Sequence, residues 1–168
     1  ENTPYENTAN YNGVVFELPD NISSNTSSVT LYHTTHTNFN TKIINISGKT
    51  KEYFMLENIG HGGYQAGLDY IIGGNDNTSG IAIWHIDDNQ SGNNDYNHKL
   101  VDLEEAADAG LDLGTHSGKQ TNLFFSGNKT EFSDSTDPNS KTYSGTSSGI
   151  TIDNISAAGD SMTFDVTF

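Results

Sequence analysis

Apolar residues in this chain come in short runs that alternate with polar ones, and no stretch keeps a 3.6-residue period for three turns. The clearest run is 161–168 (SMTFDVTF). There Met162, Phe164, Val166 and Phe168 alternate with Thr163, Asp165 and Thr167, which predicts a strand with one face buried. Strands are predicted in the same way over 13–18 (GVVFEL), 29–33 (VTLYH), 42–47 (KIINIS), 51–58 (KEYFMLEN), 80–86 (GIAIWHI), 99–106 (KLVDLEEA) and 149–156. A shorter apolar run lies at 122–126 (NLFFS). Successive side chains point to opposite faces, so Tyr53, Met55 and Glu57 share one face and Phe54, Leu56 and Asn58 the other. Likewise Ile81, Ile83 and His85 face away from Trp84 and Ile86.

The connections have turn chemistry: Pro19-Asp20, an Asn/Ser/Thr run at 21–28, Gly48 between two strands, a glycine-rich stretch at 59–80, and Gly/Asp/Ser-rich segments at 107–118 and 134–149. Residues 1–12 read as an extended linker and 13–168 as one domain. The predicted class is all-β, a β-sandwich-like antiparallel domain with long Gly/Asn/Asp-rich loops.

Composition narrows the partners. There are 22 Asp plus Glu against 7 basic residues, all of them lysine, for a formal net charge of −15. Phosphate binding needs clustered Lys or Arg, so nucleic acid is excluded as an expected partner, and anionic membranes are disfavoured for the same reason. No apolar run approaches the roughly 20 residues needed to span a bilayer, so membrane insertion is not expected. Cysteine is absent, which leaves no disulfide framework. Asn-x-Ser/Thr triplets at Asn21, Asn25, Asn45, Asn77, Asn89, Asn128 and Asn154 are what so Asn- and Thr-rich a chain generates by chance. The chain begins at Glu1 without Met or a leader-like segment, which reads as a mature or excised piece of a longer precursor.

The densest chemistry lies in 80–106, where a strand, a polar loop and a second strand hold the single tryptophan and two histidines. Counting Asp87 as position one, the loop offers Asp87, Asn89, Ser91 and Asp95 at positions one, three, five and nine, with Gly92 at six. This is the spacing of a chain wrapped around calcium, without the glutamate at position twelve, where His98 stands, and without flanking helices. Asp102, Glu104 or Glu57 would supply the missing carboxylate. Three acidic residues within 102–105 and no arginine to pair them argue for a cation. Zinc held by His85, His98 and a carboxylate is the other metal reading, although the spacing between the histidines is not diagnostic.

No histidine is followed by glutamate, and there is no Gly-x-Ser-x-Gly elbow, thiol nucleophile or phosphate loop. Hence no catalytic residue is assigned. His33 and His36 fall on opposite faces of an extended chain and read as exposed loop-edge residues, as does His61. Glycan binding is an alternative, with Trp84, Tyr64, Tyr70 and Tyr96 as candidate platforms, set against the ordinary role of a lone strand tryptophan in a core.

The order KEYFMLEN, a glycine-rich stretch with YQAGLDY, SGIAIWHIDD, an Asn-rich loop leading to NHKLVDLEEA, and then NLFFSGNKTEFSDSTDPNSKTYSGTSSGITIDNISAAGDSMTFDV resembles the region that follows the catalytic domain in immune-inhibitor-A-like secreted bacterial zinc metallopeptidases. The likeness covers 51–168. It implies an extracellular, noncatalytic β-domain of a longer protein in which an upstream protease domain, absent from this chain, carries the zinc. It also implies that the WHID and VDLEEA neighbourhood is the structural and calcium-binding centre. The partner it implies is the upstream protease domain; the alternatives, independent of the resemblance, are an extracellular glycan held by exposed aromatics, or the chain itself as a self-associating structural subunit joined by strand addition.

Overall fold

The structure is a computed structural model that describes residues 8–11 and 14–17 as backbone, and residues 19–33, 36, 38–60, 79–107, 110–115 and 118–168 in full. Among them are ten strands and no α-helix: β1 (Thr8–Tyr11), β2 (Val14–Glu17), β3 (Asp20–Ile22), β4 (Thr26–Tyr32), β5 (Lys42–Asn45), β6 (Glu52–Ile59), β7 (Gly80–Asp87), β8 (Val101–Leu103), β9 (Thr151–Asp153) and β10 (Ser161–Thr167). A five-stranded sheet in the order β3-β5-β6-β7-β8 and a three-stranded sheet in the order β4-β10-β9 share one hydrophobic core, and β1 pairs with β2 in a hairpin. Every strand pair is antiparallel apart from β3 with β5. The fold is therefore all-β and sandwich-like, as the period-2 pattern predicts.

Each sheet supplies one face to the core. Phe54 and Leu56 of β6 and Ile81 and Ile83 of β7 meet Leu31 of β4, Ile152 of β9, and Met162 and Phe164 of β10, all essentially solvent-free. Phe124 and Phe132, from the long segment between β8 and β9, complete it. The Phe132 ring stands edge-on to Phe54 at 5.2 Å and to Phe124 at 5.8 Å. Burying each such side chain stabilises the fold by about 1.5–3 kcal/mol.

The sheets are joined where β4 ends. His33 makes a parallel bridge to Asn58, whose Nδ2 donates to the carbonyls of Gly159 at 2.9 Å and Leu31 at 3.4 Å. A Cβ at Gly60 would lie 2.1 Å from His33 Cδ2, so the glycine makes room for the ring. His33 is thus buried at 2% exposure, not exposed at a loop edge; its polar ring is accommodated at the seam of the two sheets.

The predicted strands differ from the observed ones at their ends. Residues 8–11, expected as linker, pair with β2, and the intervening Asn12-Gly13 is itself a strong hairpin signal in sequence. In 99–106 only Val101–Leu103 is strand, because Ala106 donates to the Asn122 carbonyl and the chain turns off β7. In 122–126 only Phe124 bridges to β7, at Ile81. β9 stops at Asp153 because Asn154 adopts φ +52°, outside the extended region. The glycine-rich stretch at 61–78, with His61, Tyr64 and Tyr70, lies outside the described residues.

Candidate functional site

Towards one end of β6 and β7 the core-facing positions change from apolar to ionisable. The register sets Leu56 opposite Ile83, Phe54 opposite His85, and Glu52 opposite Asp87, while β8 adds Asp102 opposite His85. Glu52, His85 and Asp87 are all buried. His85 Nδ1 lies 3.0 Å from Glu104 Oε1, and its Nε2 lies 3.1 Å from Glu52 Oε1. Glu52 also accepts from the Tyr143 backbone N–H at 2.7 Å and faces Lys49 Nζ at 3.4 Å.

The rings form a stack. Tyr143 lies between His85, at 4.2 Å and 15°, and His98, at 4.2 Å and 29°, while Phe54 contacts the His85 ring at 4.6 Å. His98 Nε2 is 2.7 Å from Asp87 Oδ2. Lys99 Nζ binds Asp102 at 2.6 Å and also Asp112.

Burial dominates the electrostatics. It pushes the Glu104 carboxyl above the usual carboxylate range against the pull of His85, and pushes Asp102 up against the pull of Lys99. Burial also raises the Tyr143 phenol well above its ordinary value, reinforced by Asp102, Glu104 and Glu52. At Asp87, burial works upward but is outweighed by hydrogen bonds from Asn89 and His98, so that carboxyl sits low. Two carboxylates facing one imidazole require two donors, which is met by an imidazolium or by a protonated Glu104. Either way, both ring nitrogens of His85 are occupied. The nearby Thr142 hydroxyl is engaged with Ser144 Oγ at 2.9 Å and the Thr146 carbonyl at 3.2 Å. The arrangement locks the His85 ring in place between two carboxylates and two aromatic rings.

The residues expected to bind calcium are divided. Asp87 spends Oδ1 on the backbone N–H of Asn89 at 2.9 Å and its Nδ2 at 2.7 Å, and Oδ2 on His98. Asn89 is thereby a partner of Asp87. Ser91 and Asp95 are exposed, and Asp95 accepts from the Asn97 N–H at 2.9 Å in a local turn. Asp102 and Glu104 come to the cluster from β8 and its continuation. Glu57 does not: antiparallel pairing sets it opposite Ala82, five positions from the Asp87 end and on the other face. It accepts from Trp84 Nε1 at 3.0 Å, and burial raises its carboxyl despite that bond. Among the described residues no three His, Asp or Glu side chains are gathered to hold one metal ion, and this includes the zinc reading with His85 and His98.

The acidity of 102–105 also has protein partners: Lys99 for Asp102, His85 for Glu104, and the Leu111 N–H at 2.8 Å with Asn122 Nδ2 for Glu105. Of the aromatic candidates, Trp84 is half-buried against the small cluster of Ile59, Ala82 and Leu123 and bonded to Glu57, and Tyr96 is 61% exposed. Glu52 and Tyr143 were not foreseen as site residues. Glu52 carries a readable signal, an acid on the same face as Phe54 and Leu56; Tyr143 sits in a turn-rich stretch with no periodicity to place it.

Compared with known proteins, the chain matches no family model, no curated protein and no solved structure.

Proposed function

We propose that this chain is a noncatalytic extracellular β-domain of a secreted metallopeptidase-like protein, packing against or anchoring a protease domain of the same precursor. The observation that carries the noncatalytic part is the state of His85: buried, with both nitrogens taken by carboxylates and its ring in contact with Phe54 and Tyr143. Parentage rests on the likeness over 51–168. Calcium belongs to the proposal through the loop spacing and the charge of −15, although Asp87, Asn89 and Asp95 would have to exchange their present hydrogen bonds for the cation.

Two measurements test this. The purified chain should cleave neither casein nor short peptides, with or without added zinc; turnover abolished by His85→Ala would overturn the noncatalytic reading. Sequencing the gene upstream of Glu1 should reveal a His-Glu-x-x-His segment, and a reading frame without one removes the parentage. Glycan binding is the second reading, favoured by the exposure of Tyr96, and a polysaccharide pull-down compared with Tyr96→Ala separates it from the first.

A further inference from the structure

Two sheet edges in this fold end on an asparagine side chain. On β8, Leu100 accepts from the Asp87 N–H at 3.0 Å and Glu104 donates to the Ile83 carbonyl at 2.9 Å. The alternation of an antiparallel ladder therefore turns the N–H and C=O of Val101 away from β7, to the open edge. Both groups are met by one carboxamide: Asn93 Oδ1 accepts from the Val101 N–H at 3.0 Å, and Asn93 Nδ2 donates to the Val101 carbonyl at 2.9 Å. This reproduces the pair of bonds that a residue of an added antiparallel strand would make.

β4 shows the parallel counterpart. His33 donates to the Asp160 carbonyl at 2.9 Å, so by alternation Thr30 and Tyr32 turn outward. Asn40 Oδ1 accepts from the Tyr32 N–H at 2.9 Å, and Asn40 Nδ2 donates to the Thr30 carbonyl at 3.1 Å. Bonding to the flanking residues on either side of Leu31 is the pattern of a parallel strand.

We propose that Asn93 and Asn40 are edge caps: each carboxamide occupies the place of an incoming strand residue, and together they hold the domain monomeric against edge pairing with a second copy of itself. The inference is independent of parentage. An unpaired row of backbone donors and acceptors is a template for strand addition, and Val101, at 36% exposure, would supply an apolar contact to it. Capping by a side chain fills the hydrogen bonds without extending the sheet.

The test uses the full chain. In the unmodified protein the Val101 and Tyr32 amides should exchange with solvent about as slowly as the ladder amide of Asp87; exchange at the open-chain rate would overturn the proposal without any variant. In Asn93→Ala, the Val101 amide should exchange at least about tenfold faster. The double variant Asn40→Ala/Asn93→Ala should form dimers and larger species whose share rises with concentration in light scattering. The control Asn94→Ala, an exposed neighbour in the same loop, should remain monomeric. A double variant that melts cooperatively and stays monomeric up to its solubility limit would also overturn the proposal. Should the double variant fail to fold, the exchange measurement on the unmodified protein decides.

Discussion

At the scale of single residues, the centre of the molecule is a histidine whose removal would leave two acids facing each other. In His85→Ala, Glu52 and Glu104 lose their common partner in a buried setting, and a cost of about 3–5 kcal/mol is expected, read as a fall in the urea midpoint. Glu104→Gln keeps a polar group in place and removes one buried charge, so its cost should be smaller, under about 2 kcal/mol. Asp134 ties together the segment that carries Tyr143 to the His85 cluster. It collects the backbone N–H groups of Ser148 at 3.0 Å and Gly149 at 3.2 Å, the Ser140 hydroxyl at 3.2 Å and the Ser147 hydroxyl. Burial opposes the charge there, but these bonds win and the carboxyl sits below its ordinary value. A carboxylate with a depressed folded value stabilises above the unfolded value and loses that contribution as pH falls through the folded one. Asp134→Asn is therefore expected to cost about 1–2 kcal/mol at neutral pH. The difference between variant and parent should begin to narrow once the pH falls below about 4, where the unfolded carboxyl protonates, and close as the pH passes the lower folded value. A gap that stays constant down to pH 3 would mean that shape, not charge, is what Asp134 supplies.

At the scale of elements, β7 is held on both sides and its start is tightly packed. A Cβ at Gly80 would stand 2.6 Å from Leu123 Cβ, so Gly80→Ala should lose about 1–3 kcal/mol by overpacking. Gly92→Ala meets nothing within 4 Å and should stay within about 0.5 kcal/mol of the parent. Chemical denaturation of the two variants side by side checks the contrast. The strands themselves were legible in sequence because the period of two is local information: β6 buries Phe54, Leu56 and Asn58 as its alternation requires, and β10 buries Met162, Phe164 and Val166. Strand ends were less legible, since the early exit of β8 depends on Asn122 taking Ala106 as a partner from sixteen positions away. The site was legible in its parts but not in its pairing. Asp87, Asp102 and Glu104 stand out as acids, yet whether they bind a cation or His98, Lys99 and His85 depends on register, which places Glu52 and not Glu57 beside Asp87.

At the scale of the whole molecule, a formal charge of −15 opposes compaction, and two kinds of relief are available. Monovalent salt screens charges separated by more than about 10 Å, so the melting temperature should rise with added sodium chloride. The calcium proposed for the 87–95 loop would act at far lower concentration, and at fixed ionic strength a chelator would then lower the melting temperature by several degrees. Superimposed scans would mean that the internal pairs alone neutralise the loop, and would remove calcium while leaving the accessory-domain proposal standing.

The placing of β10 governs when this molecule can exist at all. It lies between β4 and β9 in the three-stranded sheet, yet it is C-terminal to every other element, and its partner Val29 is separated from Phe164 by most of the chain. Until Ser161–Thr167 is delivered, β4 and β9 have no neighbour to share and the core lacks three of its side chains. Any vectorial process, whether synthesis or passage through a narrow channel, thus leaves the three-stranded sheet open until this strand arrives. Its completion then requires a pairing across a long loop, which slows folding.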